Sequence, residues 1–440
     1  MRRFVLPLYI FLLLLCLNAC VGNISDKQNE EEQQATTTLI QEPEPLYVFY
    51  DTAVKNCIER YFDKSADKLT AEDFYKLSQL HSFSFDVYDT QVTTLRDLPG
   101  LFPVLRYVKI AFSWFNEARL SSEDCAILDE MESLRAVDIY TVGLPSLGFV
   151  KRLPYVSLRY PEETYLSDKN NLAEASVLGR DFIEKQITGR IKEYVKVADG
   201  KRVYELIVTD YEVKADSEFD FWYEAKIFIS EKINDDYHFL YSLDIPGRIG
   251  NVSGGLMLTD VNFDGQKDIL VSQGHFGNQG LVTFACFLGI NGTYKPNESF
   301  SSIANPSLDI QNQKVLSTWR NWAASHSWAM YSYIKGEFIE TDRLTEEPDE
   351  TGEMKGDGLG VEIEVWKNTT ERFKNGNTET KIYLTSDYTD AEWQTMFYDE
   401  NSFWGLTSDK WRTLYNQGTL LDWSIYGSGA DVQIMELIGN

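Results

Sequence analysis

Basic residues are scarce in this sequence relative to acidic ones. The chain carries 41 Lys and Arg against 68 Asp and Glu, which leaves a formal net charge of −27 at pH 7. A surface with this charge repels phosphate backbones and has few cations with which to release their counterions. Nucleic acid is therefore excluded as an expected partner.

Proline is also scarce, with 12 residues, whereas Trp, Tyr and Phe together make up 14% of the chain. This composition favours β-rich packing over a helical bundle. The apolar share of 43% excludes general disorder. Because 440 residues exceed what one hydrophobic core usually supports, we expect several domains and an α+β fold that is mainly β.

Cysteine and histidine are few, and common catalytic motifs are missing. Apart from Cys16 and Cys20 near the start, only Cys57, Cys125 and Cys286 are present, and an odd number cannot form a disulfide framework. We predict that these three are buried free thiols. The four histidines fall in no His-Glu-x-x-His motif, and no Gly-x-Ser-x-Gly elbow or Cys-x-x-Cys pair occurs. The sequence thus predicts no catalytic constellation.

The longest apolar run near the start, from Phe4 to Leu17, is shorter than the ~20 residues that a membrane-spanning helix needs. It follows Arg2 and Arg3, as in a signal peptide. Residues 17–20, Leu-Asn-Ala-Cys, resemble the lipobox of bacterial lipoproteins, which implies lipidation of Cys20. We therefore expect a signal peptide at 1–20, a disordered acidic tether at 21–46, and an extracytoplasmic protein anchored to a bacterial membrane.

A repeated spacing, Leu-x-x-Φ-x-Φ with Φ apolar, occurs four times within residues 47–165. The rungs begin at Leu80, Leu105, Leu134 and Leu153. Between them, Thr70-x-x-Asp73 and Ser121-x-x-Asp124 have the pattern of a capping box, which predicts short helices. The region resembles a short leucine-rich-repeat solenoid; an ordinary α/β domain with four strands is the alternative.

Stacked rungs of such a repeat place alternate side chains on one concave face, the usual binding surface of a solenoid. Ser82, Ser84, Ala136 and Ser157 belong to that set by position. The side chains that we expect to contact a partner are Tyr107, Lys109, Asp138 and Tyr155.

In the next region, residues 166–346, apolar and polar residues alternate over short stretches, which predicts β-strands. Strands at 194–197 and 204–208 flank the turn Asp199-Gly200, and a second pair at 225–229 and 237–241 flanks a polar loop. A sandwich, a barrel or propeller blades would each suit such a meander. The remaining residues, 347–440, are expected to form a C-terminal α+β extension, with a helix near residues 408–416 that ends at Gly418. Its core is expected to contain Trp393, Trp404, Trp411 and Trp423.

The strongest chemical motif is an acidic loop with oxygen ligands at EF-hand-like spacing. Its expected calcium ligands are Asp260, Asn262, Asp264, the carbonyl of Gln266, and Asp268. Apolar strands flank the loop, and Val271 stands where a helical EF-hand has its bidentate glutamate. An acidic β-turn without an ion is the alternative, but three close carboxylates would repel one another without a cation.

The loop and the sequence after it, Gly274 to Gly280, Asn305-Pro306-Ser307 and Trp319-Arg320-Asn321, resemble calcium-binding β-propellers of the FG-GAP type. That group includes periplasmic lipoproteins that inhibit peptidoglycan hydrolases and act as immunity proteins. The resemblance implies a propeller-like domain with a calcium cofactor. We expect a non-enzymatic envelope protein that binds a protein or glycan partner; a carbohydrate-active hydrolase, or an adhesive or sensing lipoprotein, is the alternative.

Lipidation can be tested by growing expressing cells with a fatty-acid analogue. We expect the wild type to take up label and Cys20→Ala to take up none, because the thiol of Cys20 is the expected acceptor. Cys16→Ala is the control and should label normally. Equal labelling of wild type and Cys20→Ala, or a mature chain that does not begin at Cys20, would contradict the prediction.

Overall fold

The structure is a computed structural model that describes residues 46–85, 92–110, 120–140, 144–160, 172–173, 175–187, 189–210, 223–234, 236–245, 255–276, 281–322, 325–349, 354–356, 361–363, 365–384 and 408–420. These residues belong to one compact unit, Pro45–Asn440. The fold is α+β and mainly β, as expected. The signal peptide and nearly all of the expected tether lie outside the described residues.

Short helices occupy the first half of the chain and recur between later strands. They are α1 (Thr52–Phe62), α2 (Ala71–Ser78), α3 (Leu98–Leu101), α4 (Ser122–Glu130), α5 (Gly148–Arg152), α6 (Arg180–Gln186), α7 (Glu298–Ser301) and α8 (Ser408–Gln417).

Eight strands form the first sheet, in the order β1 to β8. They are β1 (Ser82–Phe85), β2 (Tyr107–Ile110), β3 (Ala136–Tyr140), β4 (Tyr155–Arg159), β5 (Ile191–Asp199), β6 (Arg202–Asp210), β7 (Tyr223–Ile233) and β8 (Asp236–Asp244). The first four strands are parallel, and from β4 onward each pair is antiparallel.

The repeated leucine spacing corresponds to β1–β4. Phe85, Ile110, Ile139 and Leu158 are neighbours in register across the four strands, and each is fully buried against the helices. Such a row forms because identical spacing in each rung places the same position at the same height. The four strands predicted from the spacing are thus present and parallel.

The helices between the strands begin where the capping boxes predict. The Thr70 hydroxyl accepts a hydrogen bond from the N–H of Asp73, and the Thr70 N–H donates to the Asp73 carboxylate in return; Ser121 and Asp124 do the same at α4. Asp124 is buried, and its other oxygen accepts hydrogen bonds from the N–H of Leu95 (2.7 Å) and the hydroxyl of Thr94 (2.8 Å). One carboxylate therefore caps its own helix and also holds the loop of the preceding repeat.

No break separates the parallel strands from the antiparallel ones. Tyr155 of β4 pairs with Val197 of β5, and the sheet continues through the predicted hairpin at Gly200, whose φ is +60°. The expected boundary between residues 165 and 166 therefore falls between two strands of the same sheet. Likewise, the strand Glu337–Pro348 pairs with the strand Trp366–Lys374 across the expected boundary between residues 346 and 347.

A second sheet packs on the first, and a third packs on the second. Strands β9 (Leu256–Thr259), β10 (Asp268–Phe276), β11 (Leu281–Ile290) and β12 (Thr293–Pro296) form an antiparallel meander. Ile269 and Phe287 face the first sheet, whereas Leu270 and Cys286 face the third sheet, and all four are buried. This second sheet thus lies between two others.

The third sheet carries the remaining described strands except one short pair. Its strand order is β20, β19, β16, β15, β14, β13 and β21. The ranges are β13 (Ser307–Asp309), β14 (Lys314–Trp322), β15 (Ser325–Ile334), β16 (Glu337–Pro348), β19 (Trp366–Lys374), β20 (Asn377–Leu384) and β21 (Thr419–Leu420); β17 (Met354–Gly356) and β18 (Val361–Ile363) pair separately. Its outer face packs Leu316, Trp328 and Met330 against Trp411 of α8.

Two features of this part of the chain confirm sequence predictions. Trp411 is buried in the core, and the helix predicted near residues 408–416 ends at Gly418, as expected. The other tryptophans expected in that core, Trp393, Trp404 and Trp423, lie outside the described residues.

Gly289 of β11 allows its strand to approach the loop before β10 closely. A Cβ atom at this position would lie 2.7 Å from the backbone oxygen of Lys267, which cannot move aside as a side chain can. We expect Gly289→Ala to lower the free energy of unfolding by about 2 kcal/mol, as overpacking does. Urea unfolding measures this difference.

Gly100→Ala is the matched control for this substitution. Its nearest contact would be an ordinary 3.5 Å from Tyr47 Oη, so we expect no loss of stability. Equal midpoints for the two variants would show that the close approach at Gly289 is not a constraint.

Candidate functional site

The acidic loop predicted from the sequence joins β9 to β10 in an antiparallel hairpin. Thr259 and Asp268 form its last strand pair. Phe263 (φ +62°) and Gly265 (φ +85°) lie in the left-handed region, which reverses the chain within a few residues. The sharp turn brings Asp260, Asn262 and Asp264 onto one short segment of backbone.

Side-chain oxygens of the loop hold its own backbone. Asp260 accepts hydrogen bonds from the N–H groups of Asp264 (3.1 Å) and Gly265 (2.8 Å). Asn262 Oδ1 also accepts from the Asp264 N–H (3.1 Å), and Asp264 accepts from the N–H of Gln266 (2.8 Å). The first three expected ligands therefore converge on the turn.

The fourth expected side-chain ligand, Asp268, points into the protein. Its side chain is fully buried and accepts hydrogen bonds from the N–H of Val261 (2.9 Å) and of Gly289 (2.8 Å). Burial, together with the neighbouring carboxylates of Asp260 and Asp264, raises the pKa of Asp268 to about 6. Asp268 thus ties the loop to β11.

The donor chemistry of the loop suits a hard cation, since it offers two carboxylates and an amide oxygen at Asp260, Asp264 and Asn262. A carboxylate oxygen that accepts one N–H bond keeps a second acceptor position. Within the described part of the chain, however, no three His, Cys, Asp or Glu side chains gather closely enough to hold a metal ion. The residues fit calcium by type, and the inward position of Asp268 explains why they do not form a closed cage.

The expected binding face of β1–β4 is largely covered. Tyr107 and Tyr155 are each 1% exposed, because the second sheet packs on them. Asp138 is buried beside Arg159, whose Nη2 lies 3.0 Å from both of its carboxylate oxygens, and Lys109 is half-buried. The expectation of an open face is therefore corrected at Tyr107 and Tyr155, whose side chains are not at the surface, and at Asp138, which is buried and paired with Arg159.

The three cysteines behave as the sequence predicts. Cys57, Cys125 and Cys286 are buried and form no disulfide. Burial raises the pKa of the Cys125 and Cys286 thiols, which keeps them protonated and unreactive. Cys20 lies outside the described residues. Among the helices that the structure describes, none is both long and apolar enough to cross a bilayer.

A group of aromatic and cationic side chains on the third sheet was not selected by sequence reasoning. Arg343 lies 5.8 Å from the ring centre of Trp319 and 5.6 Å from that of Phe373. Glu340 binds the same guanidinium at 2.7 and 2.8 Å, and Trp322 on the same strand as Trp319 is 47% exposed. We call Trp319, Trp322, Arg343 and Phe373 the tryptophan patch.

The sequence signal for this patch was weak. Trp319 and Trp322 are close in sequence, but Arg343 and Phe373 come from β16 and β19, and only the strand pairing brings them together. The high tryptophan content was the one feature that could have pointed to it.

No protein-family model and no curated protein matches this sequence. Among solved structures, a Xanthomonas type IV secretion system related protein is similar over 43% of this chain and 92% of its own, with 18% identity and a TM-score of 0.28. At that TM-score the similarity does not define a shared fold.

The structural role of Asp268 can be separated from any cation binding by measuring unfolding in the presence of a chelator. We expect Asp268→Asn to lower the free energy of unfolding by about 2 kcal/mol, because an amide N–H₂ would then face a buried backbone N–H. Asp264→Asn is the control and should change it by less than about 0.5 kcal/mol, since the bond that its side chain accepts from the N–H of Gln266 is exposed. Equal effects of the two substitutions would contradict the assignment.

The same residue gives a pH dependence. Its folded pKa of about 6 lies above the ordinary value of 3.8, so its contribution to stability is full below pH 3.8 and is lost as the pH rises through 6. The unfolding free energy of the wild type minus that of Asp268→Asn should therefore fall as the pH rises from 3.8 to about 6.

Proposed function

We propose that this chain is a bacterial envelope lipoprotein, anchored through Cys20, that binds a protein or glycan partner without catalysing a reaction. The observation that carries the proposal is the tryptophan patch. Trp and Arg are among the residues enriched at binding hot spots, and Trp322, exposed on the strand that also carries Trp319, offers aromatic area to a partner. Aromatic faces of this kind suit protein side chains and sugar rings equally.

The architecture suits such a scaffold. We propose that β1–β4 are rungs of a short leucine-rich-repeat array, which their parallel order and common buried row support. We further propose that β5–β8, β9–β12 and β13–β16 are propeller-like blades. The support is that each is a run of four consecutive antiparallel strands and that the sheets stack face to face.

In its sharpest form the proposal names a lysozyme-type peptidoglycan hydrolase as the partner, which the chain would inhibit. This form draws on the resemblance of residues 190–345 to inhibitory propeller lipoproteins. The acidic charge of the chain is compatible with it, because a net charge of −27 steers basic partners toward the surface.

We also propose that calcium binds the loop of Asp260, Asn262 and Asp264 and serves structure. Calcium would neutralise repulsion between the carboxylates of Asp260 and Asp264 within this loop. We expect millimolar calcium to raise the melting temperature of the wild type relative to chelator, by mass action. Asp264→Ala should melt at the same temperature in both conditions, and an unchanged wild type would contradict the proposal.

The binding function can be tested with the chain that begins at residue 46. We expect it to suppress release of labelled peptidoglycan fragments by a lysozyme-type hydrolase and to release none alone. Trp322→Ala should weaken suppression at least tenfold, which is a loss of about 1.4 kcal/mol of binding. The control is Ile310→Ala, which removes an exposed apolar side chain (65% exposed) outside the patch.

Three outcomes would contradict parts of this proposal. Release of fragments by the protein alone would establish the hydrolase alternative. Suppression that Trp322→Ala leaves unchanged would remove the tryptophan patch from the interface. No suppression, together with no sedimentation of the chain with peptidoglycan, would exclude both the inhibitor and a peptidoglycan-binding lipoprotein.

A further inference from the structure

A groove runs beside β1, at the first edge of the eight-stranded sheet. Its cavity volume is about 550 Å³, and it is lined by Arg60 and Tyr61 of α1 and by Ser82, Phe83 and Ser84 of β1. We call this the β1 groove. Successive residues of a strand point to opposite faces, so a cavity that touches three in a row follows the edge of the strand.

The edge of β1 that faces this groove is not paired with any strand that the structure describes. Among the described residues β1 pairs with β2 alone. The carbonyl of His81 accepts a hydrogen bond from the N–H of Tyr107, so the backbone carbonyl of residue 81 points toward β2. Backbone direction alternates along a strand, and the N–H and C=O groups of Ser82 and Ser84 therefore point away from β2. An extended peptide can pair with these groups as an added strand.

The side chains of the groove define the chemistry of that peptide. Tyr61 is 55% exposed, and the wall is mostly apolar, which suits an apolar peptide side chain. Arg60 is exposed in the last turn of α1 and is the cation among the described lining residues. A guanidinium has five N–H donors in a fork that matches a carboxylate, so it can bind one in addition to the neighbours that it contacts.

We propose that the β1 groove binds an extended peptide through main-chain pairing with Ser82 and Ser84, with the peptide's terminal carboxylate held by Arg60. The site is separate from the tryptophan patch, and either one can fail without the other. The occupant is a short peptide with a free C-terminus and an apolar side chain near that end.

Hydrogen exchange of the full mature chain in detergent tests the pairing directly. The probe is a pool of random N-acetylated pentapeptides with free C-termini, supplied in excess. We expect the pool to slow exchange at the amides of Ser82 and Ser84. The amides of Phe83 and Phe85, which face β2, are the internal control and should not change. No protection of Ser82 and Ser84 by any pool would overturn the proposal.

The carboxylate contact is tested by a second pool of the same peptides as C-terminal amides. We expect the amidated pool to bind the wild type about tenfold more weakly than the pool with free C-termini does. The two pools should bind Arg60→Gln equally. Arg180→Gln, an exposed arginine on α6 paired with Glu184, is the matched control and should keep the preference. Equal protection by the two pools in the wild type would overturn the role of Arg60.

A variant that fills the groove separates binding from misfolding. Ser84 is exposed on β1, so Ser84→Trp should fold with an unchanged melting temperature and lose the protection of Ser82. Protection that survives in a folded Ser84→Trp would place the peptide elsewhere. If peptidoglycan-derived disaccharides protect Ser82 and Ser84 and peptides do not, the groove is a glycan site and the proposal is wrong.

Discussion

The second sheet, β9–β12, is apolar on both faces, and this two-sided burial determines where the other sheets lie. One cross-strand row runs through Ile269 and Phe287, and the opposite row runs through Leu270 and Cys286. Because side chains alternate along a strand, both rows are buried only if a separate layer covers each face, and here the first and third sheets are those layers. The hydroxyls of Tyr204 and Tyr294, 2.8 Å apart, add a polar contact between the first and second sheets. The stack of three sheets is thus a consequence of one strand pattern.

The first sheet is larger than the second sheet that packs on it, so part of the first sheet is left uncovered. The first sheet has eight strands and the second has four. The second sheet covers the face of β2 to β7, where Tyr107 and Tyr155 are buried, but Ser82 and Ser84 on β1 remain exposed. An uncovered edge strand keeps backbone hydrogen-bonding groups available, and proteins usually protect such edges. The β1 groove therefore arises from the same packing that closes the rest of the face.

Local patterns in the sequence predicted local structure, and distant contacts set the rest. The leucine spacing predicted β1–β4, and the capping boxes at Thr70 and Ser121 predicted the starts of α2 and α4, because each depends on residues only a few positions apart. The burial of Tyr107 depends on a sheet that begins at Leu256, so no spacing near Tyr107 could reveal it. The acidic loop contains both a locally determined feature and one that a distant contact determines. Its ligand spacing is local, whereas the inward position of Asp268 depends on the N–H of Gly289, 21 residues later.

The charge of the chain should make the two proposed recognition surfaces, the tryptophan patch and the β1 groove, respond differently to salt. A net charge of −27 creates a field that attracts basic partners and repels acidic ones at low ionic strength. At physiological salt the screening length is about 8 Å, so this field steers encounters more than it sets final affinity. Arg343 in the tryptophan patch is already held by Glu340, so in the proposed site it would act through its stacked faces, whereas Arg60 would act through its charge. A carboxylate that reaches Arg60 must therefore overcome the field of the chain before it gains the short-range contact. Added salt should weaken a basic partner at the patch by slowing its association, while it removes a barrier for an acidic peptide entering the β1 groove.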